Sequence, residues 1–489
     1  MNNEKTLMNL FWPCFFEVLF LMLAGMIDTF MLSGLNDKAV GAVGTANTYL
    51  SILVIMFSII SSGMVAVMTQ YIGAKQNHVA KQAKNLGLIL NLFLGILLSL
   101  ALGIFAKEIL TFMGTATTLL SYATTYTKII GGSCVLVAIL PIYNSYLRCF
   151  GYTKIPMYAT ISSNILNLLL NGLFLYVLRM GVAGVAIATV ISRIVNLIVL
   201  VVCSERYIKI HSIRNDDEEE DADYNIKHND SDTIMDNTSI TSDATTDNNT
   251  ITNNNNDYIN IDNVSPRKIS NRELLLQILK VGVPAAAETA LYNLSMTIII
   301  KFLNQMDPDG INVTARAYVS TITNFSYCAG VALASANAIL LGWNIGKHNY
   351  NKCYKDTNRA LKYGLITALT ISGLIFILAR PILSLFTSNN EIITLATTLL
   401  FVDIFLELGR VMNLIFANAL KTAGDAVYIV IVASIIMLLV GAGGTYILGI
   451  ELKLLALGAY ISMALDEIIR GFISYHRFHS KKWEEKTLV

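Results

Sequence analysis

Two carboxylates stand in an otherwise apolar run. Glu17 and Asp28 lie eleven residues apart in "WPCFFEVLFLMLAGMIDTFM". On a helix this spacing puts them, with Leu21 and Ala24, on one stripe, about 16 Å apart along the axis. An ionised acid deep in lipid costs roughly 2.5–3.5 kcal/mol on insertion scales, so such groups face a wet cavity. Burial disfavours the charge of a carboxylate and a bound cation restores it. Groups poised in this way can hold a proton or Na⁺ and exchange it for a cationic substrate.

Three further stripes carry polar chemistry. Thr160, Asn164, Asn167 and Asn171 are spaced four, three and four. Asn167 and Asn171 can supply amide oxygens to a cation, or they can bond between helices, as amides do in membrane bundles. Asp403, Glu407 and Arg410 are spaced four and three, again on one face. They form either a self-neutralising ion-pair set or a net negative wall suited to an organic cation, with Arg410 better placed for an ion pair than for substrate. Glu288, Tyr292 and Ser295 make the last stripe, where Tyr292 offers a ring to a flat cation. Asp466, Glu467 and Arg470 are expected to pair among themselves near the inner surface.

These stripes need elements that cross a membrane. Of 489 residues, 54% are hydrophobic and only 14% charged, against roughly 25% charged in soluble proteins. Runs such as "LGLILNLFLGILLSLALGIFA" (86–106) contain no charge and reach the roughly 20 residues a spanning helix needs. The pattern predicts twelve spans: 8–33, 44–72, 85–106, 121–148, 155–178, 182–204, 274–303, 314–345, 358–380, 393–421, 426–449 and 453–475. The first is read as a retained helix, not a signal peptide. The expected organisation is an N-terminal six-helix lobe (1–206), an acidic, Asn-rich linker without structure (207–272), a C-terminal six-helix lobe (273–476) and a tail (477–489). The linker, with "DDEEEDAD" and "NNNND", lacks the apolar content for a core. Basic residues crowd alternate loops, from Lys75, Lys81 and Lys84 to Arg477, Lys481 and Lys482. By the positive-inside rule both termini and the linker are cytoplasmic and the protein is a multi-pass plasma (inner) membrane protein. The formal net charge of +1 gives no basic field for nucleic acid. The six scattered cysteines suggest neither a metal site nor a disulfide framework.

The two halves echo each other. "PCFFE" (13–17) matches "PAAAE" (284–288), "YIGAK" (71–75) matches "NIGKH" (344–348), and "LRCFG" (147–151) matches "LKTAG" (420–424). Three matches in one order at nearly one offset mark a duplication. Six spans return the chain to its starting side, so both halves enter in the same sense around a midplane cavity, a transporter architecture. Pro13 and Pro284 fit the first turn of a helix, and Glu17 and Glu288 suit its dipole. Alternatively the two acids face each other as a paired acidic mouth at the cytoplasmic entrance. The LRxxG and LKxxG stretches read as helix ends, a basic residue opposing the dipole and Gly terminating.

These residues resemble the multidrug and toxic compound extrusion (MATE) transporters, within the wider multidrug/oligosaccharidyl-lipid/polysaccharide flippase superfamily. The resemblance rests on "MIDTFMLSGL" (26–35), "TQYIGAKQ" (69–76), "LRCFGYTKIPM" (147–157) with "NLLLN" (167–171), and "GRVMNLIFANALKTAGD" (409–425). It implies an all-α protein with two six-helix bundles about a central cavity. It implies cation-coupled antiport too, with Asp28 matching a first-helix acid that binds the proton or Na⁺. Some members pair that acid with a fifth-helix Asp where this chain has Asn171, and some carry a seventh-helix Glu further along than Glu288.

The expected function is a secondary active antiporter that exports small organic, cationic compounds in exchange for H⁺ or Na⁺ by alternating access. Asp28, Asn167, Asn171 and Glu17 would hold the coupling ion, and Glu288, Tyr292, Asp403, Glu407 and Arg410 would line the substrate cavity. Its partners would be a small molecule and the bilayer, with no nucleic acid and no cofactor beyond the coupling ion, and it would work as a monomer. A lipid-linked saccharide flippase is the alternative, although it would need a cationic cavity for pyrophosphate. An intramembrane enzyme lacks an HExxH, GxSxG or Walker motif, and a scaffold would have no use for the duplicated polar stripes.

Overall fold

Long charge-free runs must satisfy their backbone polar groups internally when they sit in lipid, and only helices do so within one segment. The computed structural model describes residues 6–34, 37–113, 115–232, 269–307 and 310–489, and among these the secondary structure is helical with no strand. The N-terminal lobe contains α1 (Leu7–Ser33), α2 (Asp37–Gly73), α3 (Asn77–Phe112), α4 (Thr117–Gly132), α5 (Cys134–Cys149), α6 (Lys154–Gly172) and α7 (Gly181–Asp232). The C-terminal lobe contains α8 (Asn271–Met306), α9 (Ile311–Gly346), α10 (Tyr350–Ile377), α11 (Ala379–Ser384), α12 (Asn390–Thr422), α13 (Ala426–Ile436) and α14 (Leu455–His479).

Ten helices are long and apolar enough to cross a membrane among the described residues, and α4 with α5 adds an eleventh span bent by 46°. The twelfth, α14, falls short by composition because it carries Asp466, Glu467 and Arg470. Each expected span is therefore a helix. One expected boundary moves. Residues 207–232 continue α7 as helix through the acidic run, because extending an existing helix adds one hydrogen bond per residue ordered. The rest of the expected linker, 233–268, lies outside the described residues.

The duplication is written into the backbone as well as the sequence. Left-handed residues recur in pairs at matching points: Lys75 with His348, Gly151 with Gly424, Arg179 with Lys453, and Gly181 with Leu455. Helix α3 loses helical geometry at Phe105, and α10 and α11 break at Leu378 in the other half. Wide π-helical turns follow α6 (Leu173–Val177) and α13 (Met437–Ala442 and Thr445–Glu451).

The lobes pack most closely at the face that holds both ends of the described chain, and nearer the middle of α1 Met22 still meets Cys328 of α9. At that face α2 lies against α8 and α9, backbone to backbone. A Cβ at Gly63 would sit 2.0 Å from the Ile278 carbonyl oxygen, one at Gly73 2.3 Å from that of Trp343, and one at Gly346 1.9 Å from that of Gln70. A continuous core of Met64, Tyr71, Ile278, Val281 and Leu488 joins the lobes here, and Leu10 and Cys14 of α1 pack on Ala336 and Leu340 of α9. Towards the opposite face the cores separate, one around Leu32, Val43 and Val185, the other around Leu303, Leu399 and Tyr460.

Candidate functional site

In the N-terminal lobe α6 brings its amide stripe against α1. The Asn171 Nδ2 donates to Asp28 Oδ1 at 2.7 Å and to Asn167 Oδ1 at 3.1 Å, and Asn167 Nδ2 donates to Thr189 Oγ1 of α7 at 3.3 Å. Asp28, Asn167 and Asn171 are thus brought together as expected. Asn164 does something different. Its Nδ2 donates to the Phe20 carbonyl at 2.9 Å and holds α1 to α6. The Asn171 Oδ1 is buried and has no hydrogen-bond partner among the described residues, which leaves one acceptor beside the carboxylate.

Arg193 was not singled out from sequence. Its guanidinium lies within electrostatic reach of Asp28, Tyr126 and Cys134, and its Nη1 is buried without a hydrogen-bond partner. Asp28 and Arg193 make no ion pair among the described contacts, yet each feels the other's charge. A signal was available, since a lone arginine inside the apolar span "VISRIVNLIV" is a functional candidate by position alone.

Glu17 departs from its expected place. Its Oε1 is 2.5 Å from Arg148 Nη2 of α5, with the carboxylate side chain only 2% exposed. It is bound within an ion pair and not joined to Asp28. Glu288 repeats this arrangement, with Oε2 2.9 Å from Lys421 Nζ of α12. The expected acidic mouth is therefore replaced by two neutralised pairs, one per lobe. A carboxylate this buried is stable as an ion only beside an opposite charge. The echoed motifs explain each other: the acid of PxxxE meets the base of LRxxG or LKxxG. Arg148 and Lys421 both line a cavity of about 190 Å³ between the lobes, with Ser62, Ser145, Ser335 and Asn418. Pro13 and Pro284 lie inside α1 and α8, not in their first turns, so each removes a backbone hydrogen bond from its helix.

In the C-terminal lobe, α12 and α14 assemble an ionic cluster. Arg410 pairs with Glu407 and lies 3.6 Å from Glu467, while Arg470 holds Asp466 at 2.5 Å and Glu467 at 3.1 Å. Asn413 Nδ2 donates to Glu467 at 2.9 Å. The α14 set does not neutralise itself in isolation, because Glu467 bridges it to α12. Asp403, Arg410, Arg316, Tyr292, Tyr327 and Tyr460 line a cavity of about 180 Å³. Among the described residues that line it, Asp403 is the carboxylate and Arg316 and Arg410 are the guanidinium groups, so the expected net negative wall is not formed. Glu407, expected to line the cavity, is buried in the ion pair with Arg410 instead. The Asp403 Oδ2 is buried with no hydrogen-bond partner among the described residues. Tyr292 reaches this cavity, whereas Glu288 and Ser295 do not; the Ser295 hydroxyl donates to the Met437 carbonyl at 3.0 Å.

Between the lobes a wider cleft of about 650 Å³ runs between α1 and α9, lined by Met22, Met26, Phe30, Thr321, Asn324 and Phe325. Asn324 lines both this cleft and the C-terminal cavity. Methionine and phenylalanine side chains give an adaptable apolar wall.

The family model described as MatE matches residues 13–173 and 284–447. The chain is similar to the uncharacterized transporter YisQ of Bacillus subtilis (strain 168), at 30% identity over 495 residues, covering 100% of this chain and 97% of the relative. It is 23% identical over 497 residues to the probable multidrug resistance protein NorM of Thermotoga maritima, covering 99% of this chain and 94% of that one. Among solved structures it resembles an outward-facing MATE family transporter of the MOP superfamily, with a TM-score of 0.79 at 18% identity over 98% of this chain and 96% of that one. It also resembles a MATE protein in a bent conformation, with a TM-score of 0.76 at 20% identity over the same 98% and 96%.

Proposed function

The chain belongs to the MatE family of membrane transporters, and from that premise we propose that it is a secondary active antiporter exporting small organic cations in exchange for H⁺ or Na⁺. The observation that carries the reading is the Asp28–Asn171 site. It is a carboxylate on a membrane helix, tied by one hydrogen bond and set beside an unpartnered amide oxygen. Such a site binds a small cation in one state and releases it in another when the walls around it move. The C-terminal cavity supports the choice of cargo. Its tyrosine rings and the Asp403 carboxylate can meet a positively charged organic molecule, and the apolar cleft lined by the same Asn324 offers a route in.

The lobes would alternate. With the face that bears both ends of the described chain packed shut, the cleft opens away from it; parting that face, which the positive-inside rule assigns to the cytoplasm, would present the same cavity to the cell interior. Occupancy by the coupling ion must stabilise a different state from occupancy by the drug, or exclude it, for exchange to follow.

The test is efflux of a fluorescent organic cation from proteoliposomes under an imposed pH gradient or an imposed Na⁺ gradient. One of the two gradients is expected to drive efflux, and Asp28→Asn to abolish that response. Efflux indifferent to both gradients would remove the antiport reading.

A further inference from the structure

The side chain of Gln70 is fully buried on α2 of the N-terminal lobe, and both ends of its amide are taken by the C-terminal half of the chain. Its Nε2 donates to the Thr422 carbonyl at 2.6 Å, and its Oε1 accepts from the Leu488 N–H at 2.8 Å. Leu488 belongs to segment 480–489, which is anchored on the C-terminal lobe. Trp483 of that segment is fully buried, stacks on Phe478 at 5.2 Å and donates its Nε1 to the Phe478 carbonyl at 2.7 Å. Tyr354 donates to Glu484 at 2.7 Å. Gly424 accommodates the segment, for a Cβ there would sit 2.4 Å from the Lys486 carbonyl oxygen. From this anchor Leu488 reaches across the lobe boundary, where its carbonyl accepts from the Tyr71 hydroxyl at 3.2 Å.

We propose that Gln70 is the positioning residue that clasps the closed face, by binding the backbone of α12 and the docked segment 480–489 with one amide. Thr422 and Leu488 belong with one lobe and Gln70 with the other. Every parting of the lobes at this face must therefore break both bonds together. Only an amide of this length supplies a donor and an acceptor on one carbon; a carboxylate would offer a lone pair to the Thr422 carbonyl, and an apolar side chain would leave two buried backbone groups unpaired. The closed arrangement is thus favoured by a contact that touches neither substrate nor coupling ion. The segment after α14 acts as part of the gate.

The first test measures distance by pulsed electron resonance between spin labels at K81C and K355C, on opposite lobes, in the full chain with C203S. In Q70E the population with a longer separation is expected to grow roughly tenfold, the effect of losing a net hydrogen bond. A distribution identical to that of Gln70 would overturn the proposal. The second test keeps it decidable if Q70E folds poorly. In a Q70C/L488C pair, oxidation is expected to stop cation efflux and reductant to restore it, while efflux continuing through a fully formed cross-link would sink the clasp. The distance measurement needs no substrate and so stands apart from the antiport reading, on which only the cross-link assay depends.

Discussion

Asp28 is the residue on which coupling turns. Asp28→Asn should leave the fold intact, since the Asn171 amide can still find an oxygen to bond, yet efflux should no longer follow any ion gradient in proteoliposomes. Arg193 sets the charge around it. Asp28 and Arg193 together make the N-terminal site formally neutral, and Arg193→Gln would leave it at one negative charge. Unit charges about 8–16 Å apart interact by about 1–2 kcal/mol at an effective dielectric constant near 20. The coupling ion should therefore half-saturate the Arg193→Gln protein at a roughly tenfold lower concentration, as read by efflux against Na⁺ concentration or pH. The two inner ion pairs are a different class of residue. Glu17 is nearly inaccessible, so Arg148→Met should cost about 3–5 kcal/mol of stability by stranding a buried carboxylate. The double replacement Glu17→Gln, Arg148→Met should recover most of the loss in an unfolding titration in detergent. The recovery distinguishes a neutralising pair from a pair of cation ligands, which would fail in transport while remaining stable.

At the scale of elements, the helices fall into two groups with different composition. Those on the outside of each lobe need only be apolar and long, whereas α2, α8 and α9 must approach one another at backbone distance. Glycine makes that possible at Gly63, Gly73, Gly282 and Gly346. Gly346→Val places carbon where the Gln70 carbonyl oxygen now is, so it should hold the lobes apart at the face bearing the termini and lengthen the distance between labels there. Gly373→Ala is the control: a Cβ at that position meets nothing within 4 Å, and no change in either distance or transport is expected. The same logic explains why "YIG" and "NIG" echo. The repeated glycines are the two sides of one crossing.

At the scale of the whole molecule, two lobes with separate cores at one end and a shared core at the other form a hinged object. Its shared core contains Leu488, so the last described segment is part of the joint and not an appendage. The acidic run belongs to the C-terminal part of α7. Deleting 215–265 should leave cation efflux unchanged in proteoliposomes, and loss of efflux with normal insertion would place that stretch inside the machinery.

The helical spans and the duplication were legible in the sequence, because lipid demands apolar runs about a bilayer long. Of the acids expected on the cavity wall, Asp403 lies there while Glu288 and Glu407 do not. Asn167 and Asn171 were readable for the same reason, since helical spacing alone sets them on one face. What the chain order could not convey was which charges meet. Glu17 looked like a partner for Asp28 or Glu288 because all three are acids on first helices, yet its partner is Arg148, 131 residues away on another helix. Arg193, the junction of the α12 and α14 charges, and the hold of Gln70 on Leu488 share this character. Each is a pairing between elements whose relative rotation is decided by how the helices pack. Periodicity fixes the face of one helix; only the folded bundle determines what that face meets.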